Sequence, residues 1–247
     1  MDLGLNGSRA LVTAASKGLG LACASALAAE GSRVFIVSRD EKRLSEVERE
    51  IGAAGHLALD LAHPESGQRA VDAAVSALGG LDVLVCNAGG PPPGTFETTS
   101  LEGWDVGYQL TLMSVVRLCK AAIPHLKESG RGRIVNITSI AVRQPIGNLV
   151  LSNAFRSAVT ALAKTLSAEL GPFGVTVNNL APGMILTDRI RQLYGDNLEE
   201  VASANPMGRL GDPDELGATC AYLCSTQAGY ITGQTVGIDG GALRGIY

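Results

Sequence analysis

The chain has 247 residues with a formal net charge of −4, 46% of them hydrophobic and 18% charged. That length exceeds a typical domain of roughly 150 residues but suits one α/β unit with a well-buried sheet. The acidic balance and the lack of any Lys/Arg run speak against a nucleic-acid surface, and no apolar stretch approaches the ~18 residues that a membrane span requires.

Met1-Asp2-Leu3-Gly4 has neither the basic nor the apolar region of a signal peptide. The five cysteines (Cys23, Cys86, Cys119, Cys220, Cys224) form an odd set without metal-like pairing. Cys220 and Cys224 share a helical face with no His beside them, so they read as small buried hydrophobes and no metal is expected. The expectation is a reduced, soluble, cytoplasmic protein.

In chain order, the apolar run Ala10-Leu11-Val12 leads through Thr13-Ala14-Ala15-Ser16-Lys17-Gly18-Leu19-Gly20 into an Ala/Leu-rich segment that stops at Gly31. Val34-Phe35-Ile36-Val37 follows. This is strand, glycine loop, helix, strand: one right-handed βαβ unit. Glycines let the backbone approach a phosphate, and the N–H groups opening the helix offer it partial positive charge. A lone glycine loop is weak evidence, but one that follows a strand and opens a helix reads as a dinucleotide site.

Leu44, Val47 and Ile51 then recur at helical spacing, and His56 to Asp60 reads as a short strand. A helix through Val71, Val75 and Leu78 leads to the strand Leu81–Val85 and the irregular loop from Asn87 to Pro93. Ser100 can cap the next helix, and a longer one runs to about Gly130 with Pro124 in its later turns. Ile134–Ile137 is a strand, and a helix from about Ser152 ends at Gly171-Pro172. Val175-Thr176-Val177 precedes the loop Ala181-Pro182-Gly183. Asp212-Pro213-Asp214-Glu215 is a strong helix start, with an Asp cap, a first-turn Pro and acids at the positive end. Thr235–Ile238 supplies the last strand. Seven strands alternating with helices, with no internal repeat or linker, predict a Rossmann-type doubly wound seven-stranded parallel sheet with helices on both faces. Residues 1–247 read as a single dinucleotide-binding domain.

Thr13 to Gly20, Asn87-Ala88-Gly89, Ser139, Pro182-Gly183, Ile231-Thr232-Gly233-Gln234 and Asp239-Gly240-Gly241 stand in the order and spacing of the short-chain dehydrogenase/reductase family. The chain resembles that family over essentially its whole length, and the bacterial 3-oxoacyl-acyl-carrier-protein reductases most of all. The resemblance implies an NAD(P)-dependent oxidoreductase acting on a small molecule. It also implies a homo-oligomer, dimer or tetramer, built on the long helices and the C-terminal strand, where Tyr230-Ile231 and Ile246-Tyr247 are apolar. The variable substrate lid would be about 184–210.

One family glycine is replaced by Ala14. Members that use NAD place an acid at the end of the second strand, to hold the adenosine ribose. Here that position is Ser38, followed by Arg39, and the glycine loop carries Lys17. Two cations and a hydroxyl where a 2′-phosphate would sit imply NADP(H) in preference to NAD(H). By the same resemblance Thr13, Ser16, Lys17, Gly18, Leu19 and Gly20 form the phosphate loop, Asp60 and Leu61 meet the adenine, and Asn87, Ala88 and Gly89 the adenosine-side ribose. Pro182, Gly183, Ile185 and Thr187 face the nicotinamide and phosphate.

The family's reaction centre uses Asn, Ser, Tyr and Lys, of which only Ser139 is matched. The Tyr and Lys positions read Ser152 and Arg156, and the Asn position Thr111. Ser152 and Arg156 are one helical turn apart on one face. Arg156 can bind the nicotinamide ribose as a permanent cation, but a serine hydroxyl is a far weaker acid than a phenol of pKa about 10. Tyr108, three residues before Thr111, is the candidate substitute proton donor, or else a core or interface aromatic. Arg143 either joins Arg156 in attracting an anionic substrate or faces solvent. Two functions remain open: a reductase of a carbonyl or enone with a non-standard proton donor, and a catalytically silent NADP-binding sensor or partner subunit.

Overall fold

Strand alternation sorts the core into two layers. Leu11 and Leu84 belong to a cluster on one face of the sheet, while Ala10, Val12, Val83 and Val85 belong to a cluster on the other. Successive side chains of a strand point to opposite faces, so strands that are apolar at every position can be buried only between two helical layers. The computed structural model, which describes residues 2–246, has that form. Met1 and Tyr247 lie outside the described residues.

The strands are β1 (Arg9–Thr13), β2 (Arg33–Ser38), β3 (Gly55–Ala58), β4 (Val83–Cys86), β5 (Arg133–Ile137), β6 (Thr176–Pro182) and β7 (Thr235–Ile238). They form one seven-stranded sheet in the order β3-β2-β1-β4-β5-β6-β7, parallel throughout. The helices α1 (Gly18–Ala29), α2 (Glu41–Ile51) and α3 (Ser66–Leu78) follow β1, β2 and β3. Between β4 and β5 come α4 (Leu101–Gly107), a π-helical segment (Tyr108–Met113) and α5 (Ser114–Ser129). α6 (Val150–Leu170) precedes β6, and α7 (Asp188–Tyr194), α8 (Leu198–Ser203) and α9 (Pro213–Cys224) precede β7.

The sequence expectations hold for element type and order. Asp212 caps α9 in a full capping box with Glu215, and the Ser100 hydroxyl accepts from the Gly103 N–H at the start of α4. Strand ends differ in several places, and β3 runs Gly55–Ala58, leaving out Leu59 and Asp60. Leu81 and Asp82 lie outside β4. β6 runs on through Ala181 and Pro182, which were expected in a loop. Proline is tolerated there because β5 ends opposite Leu180, so at Pro182 only β7 pairs with the strand.

The strand order reverses between β1 and β4, the topological switch point where a doubly wound sheet opens a crevice at its carboxyl ends. Thr13 closes β1 there, and Asn87 follows β4. All five cysteines are free and buried. Among the described residues no helix is long and apolar enough to cross a membrane, and no cluster of three or more metal-ligating side chains occurs.

Candidate active site

The crevice is tied together across the switch point. The buried Thr13 hydroxyl donates to the Asn87 carbonyl (2.7 Å) and accepts from the Asn87 N–H (3.0 Å), and the Asn87 amide donates to the Ala14 carbonyl. A Cβ on Gly20 would lie 2.3 Å from that same carbonyl oxygen and 2.7 Å from the Asn87 amide nitrogen, so only glycine fits between loop and strand. Ala14, where the family has glycine, sits at a φ of 47°. This is the left-handed region, which a residue with a Cβ enters at a cost of roughly 1–2 kcal/mol.

The start of α1 is open. Its N-cap, Lys17, makes no side-chain capping bond, and no acid lies in the first turn. The first N–H groups of this helix therefore remain available to an anion. A Cβ on Gly89 would meet nothing within 4 Å, which leaves free space over the end of β4. An uncapped helix start beside an open strand end fits a dinucleotide pyrophosphate.

At the end of β2 the Ser16 and Ser38 hydroxyls are 2.8 Å apart. Arg39 is exposed and has no acidic partner among the described residues. Lys17 lies 3.6 Å from Asp188 of α7, a pair whose side chains are both mostly exposed and hence weak. Arg43, which sequence reasoning missed, reaches back from α2 to donate to the Ser16 carbonyl. Glu46 and Glu50 hold its guanidinium and raise its pKa. No spacing rule marks it, because its target is a backbone oxygen of another element.

The remaining cofactor candidates divide between side-chain and backbone positions. The Asp60 carboxylate accepts from the Ala62 N–H, and Leu61 is buried in the core, so only its backbone can face a ligand. Ala88 is half-buried and Gly89 exposed. Gly183 donates to the Ile238 carbonyl, and Asp239 leaves no room for a Cβ there. Ile185 is buried against Gly211. Thr187 caps α7 by accepting from Ile190 N–H and lies over Gly18, which has a φ of 57°. The segment after β6 is thereby drawn onto the glycine loop.

Ser139, Ser152 and Arg156 gather at the end of β5. The Ser139 hydroxyl accepts from the Ala141 N–H (3.1 Å), which leaves its own proton free. Ser152 is buried in the first turn of α6. One turn on, Arg156 donates from Nη1 to the Ile137 carbonyl at 2.7 Å. It is half-buried with no acidic partner among the described residues. Burial, with Arg189 nearby, brings its pKa down to about 10.

Tyr108 and Thr111 both lie in the π-helical segment, where Tyr108 is 38% exposed and Thr111 only 3%. The Tyr108 ring packs on Phe155 at 6.0 Å, part of an aromatic row with Trp104 and Phe96, whereas the buried Thr111 hydroxyl has no hydrogen-bond partner. π-helical turns recur at functional sites. Of the two readings of Arg143 the structure fits the solvent-facing one: it is exposed and donates to the Thr235 carbonyl of β7. The second arginine near Arg156 is Arg189 of α7, which the sequence placed in a variable segment without a role.

A doubly wound sheet with a glycine loop at its switch point and a serine at the end of β5 defines a nicotinamide-dependent oxidoreductase site. Residues 13–242 match the family described as enoyl-(acyl carrier protein) reductase. The chain is 36% identical over 245 residues to the short-chain reductase protein NovJ of Streptomyces niveus, covering 95% of this chain and 93% of that one. It is 35% identical over 242 residues to the 3-oxoacyl-[acyl-carrier-protein] reductase of Vibrio cholerae (97% and 98% covered). The L-sorbose reductase of Gluconobacter frateurii, solved with NADPH and L-sorbose, superposes with a TM-score of 0.94 at 33% identity, both chains covered in full. The chain belongs to the short-chain dehydrogenase/reductase family of oxidoreductases.

Proposed function

We propose that this chain is an NADP(H)-dependent reductase of a carbonyl or enone substrate that works without the family's tyrosine as proton donor. The observation that carries the reading is the end of β2, where the Ser16–Ser38 hydroxyl pair stands beside an Arg39 free of acidic partners among the described residues. A 2′-phosphate meets donors and a cation there, with no carboxylate at the position that selects the NAD ribose. The NADPH bound by the sorbose reductase supports the same preference.

In this reading Thr13, Ser16, Lys17, Gly18, Leu19 and Gly20 hold the phosphates. Asp60 and Leu61 flank the adenine, Asn87, Ala88 and Gly89 flank the adenosine ribose, and Pro182, Gly183, Ile185 and Thr187 flank the nicotinamide. The nicotinamide supplies the hydride when bound. Arg156, hung from Ile137, offers a fixed cation, and Ser139 and Ser152 offer hydroxyl protons to an oxygen gaining negative charge. Neither serine is a strong acid, so conjugate reduction of an enone fits the site best, because its proton goes from solvent to carbon. Tyr108 is a wall residue in this account. The chain acts as one domain with a lid at about 184–210, in the cytoplasm, as a homo-oligomer whose exposed Leu101, Val106 and Tyr230 are available for contact.

The test is a fluorescence titration with NADPH and NADH. We expect NADPH to bind about tenfold tighter or better, and Ser38→Asp with Arg39→Ala to reverse the order. Equal affinity for the two in the unaltered protein would overturn the cofactor assignment.

A further inference from the structure

Arg189 stands on one wall of the cofactor crevice without a counter-charge. Its Nη2 donates to the Pro91 carbonyl at 2.9 Å, and its guanidinium lies over Gly90, where a Cβ would come 3.2 Å from Nη2 and 3.4 Å from Nε. The residue is half-buried, makes no other side-chain hydrogen bond among the described residues, and pairs with no carboxylate among them. A partly desolvated guanidinium costs stability unless an anion meets it.

Three consecutive residues place this charge. The Thr187 methyl lies 3.6 Å from where a Cβ on Gly18 would stand, and Asp188 reaches Lys17 of the same glycine loop at 3.6 Å. Arg189 then touches Gly90 and Pro91, which directly follow Asn87-Ala88-Gly89 after β4. The segment thus bridges the crevice between the glycine loop after β1 and the loop after β4, the two walls that Thr13 and Asn87 join. On the glycine-loop side the open start of α1 offers N–H groups, but a helix terminus carries only about half an elementary charge. Lys17 shares its charge with Asp188, and Arg39 stands apart, after the end of β2. A dinucleotide pyrophosphate is doubly charged, so these groups leave it under-matched, and Arg189 faces it from the other wall.

We propose that Arg189 is a ligand of the cofactor pyrophosphate, clamping it from the β4 side against the open start of α1. The proposal rests on the dinucleotide site of the reading above, and depends neither on turnover nor on which nucleotide is preferred. The bond to Pro91 occupies one N–H of the guanidinium, and the others are left for phosphate oxygens, which its planar fork matches in geometry. Because Arg189 belongs to the segment after β6, the same contact ties the start of that segment to the bound cofactor.

The experiment titrates the full chain by calorimetry with NADPH, NADH, 2′-phospho-ADP-ribose and 2′-AMP. The third has the pyrophosphate without the nicotinamide, and the last has neither. Arg189→Gln, whose amide can keep the bond to Pro91, should weaken NADPH, NADH and 2′-phospho-ADP-ribose alike, by about tenfold. Its affinity for 2′-AMP should change less than about twofold. Arg189→Lys, which keeps the charge, should recover part of the loss. An Arg189→Gln variant that binds every one of these compounds as the unaltered protein does would overturn the proposal. So would a loss confined to NADPH and NADH, because the arginine would then act on the nicotinamide end. A loss that extends to 2′-AMP would overturn it too, as a contact with the 2′-phosphate or damage to the fold. NADPH and NADH that bind equally to the unaltered protein, yet both weaken in Arg189→Gln, would leave the clamp standing and refute the NADP preference instead.

Discussion

Arg156 Nη1 donates to the main-chain carbonyl of Ile137 at 2.7 Å, which fixes the guanidinium at the end of β5 with no counter-ion among the described residues. Removing it trades two effects. Arg156→Met orphans the Ile137 carbonyl, at about 1–3 kcal/mol, but also removes a desolvated, unpaired charge. We expect urea unfolding to show stability unchanged within about 1 kcal/mol, or raised, with turnover lost. A drop beyond about 3 kcal/mol would make Arg156 a structural residue.

Ala14 is held at a φ of 47°. Ala14→Gly relieves roughly 1–2 kcal/mol of left-handed strain and loses about 0.5–1 kcal/mol to the greater freedom of the unfolded chain. The balance favours glycine, so Tm should rise by about 2 °C. A fall in Tm would mean that the alanine methyl makes contacts worth more than the strain.

Asp82 accepts from Arg9 Nε (2.9 Å), Arg9 Nη2 (2.8 Å) and the Arg9 N–H, with Arg131 at 3.3 Å. Burial pushes its pKa up, but the hydrogen bonds from Arg9 and the charges of Arg9 and Arg131 outweigh it and hold it at about 2. A carboxyl depressed in the folded state contributes stability that is present above its unfolded pKa near 3.9 and is lost as pH falls through the folded value. Unfolding free energies from urea titrations should therefore fall between about pH 4 and pH 2, by about 2 kcal/mol in total for this group. Asp82→Asn should be less stable at pH 7 and should flatten that dependence.

The Tyr108 ring sits against Phe155, and the residue is 38% exposed. Tyr108→Phe keeps the ring and should leave kcat within about threefold. A loss of about a hundredfold would restore Tyr108 as the proton donor, since general acid catalysis contributes about 10²–10⁴.

The fold was legible because its signals are local. Apolar runs, the glycine loop and the Asp212 cap each report on a few neighbouring residues, and the switch point follows from strand order. The residues proposed to hold the cofactor were nominated in the same way, by spacing within single motifs. What escaped depended on contacts between elements: Arg43 on the Ser16 carbonyl, and Arg189 on Pro91. Tyr108 is a different case. Ordinary helical spacing puts it near the face of Thr111, but the π-helical turn changes the rotation between them. Arg143 could not be placed from sequence because its partner, the Thr235 carbonyl, is 92 residues away.

The central claim is that this chain transfers hydride from NADPH at a centre lacking the family tyrosine. The most direct test follows NADPH absorbance while the purified protein meets ketones, 3-oxoacyl thioesters, enones, quinones and oxo acids. The Ser152→Tyr, Arg156→Lys double variant runs beside it. We expect protein-dependent consumption of NADPH that is greatest with an enone and is lost in Arg156→Met. Tight NADPH binding with no turnover of any substrate, together with new carbonyl reduction in the double variant, would contradict the account and identify a cofactor-binding sensor or partner subunit.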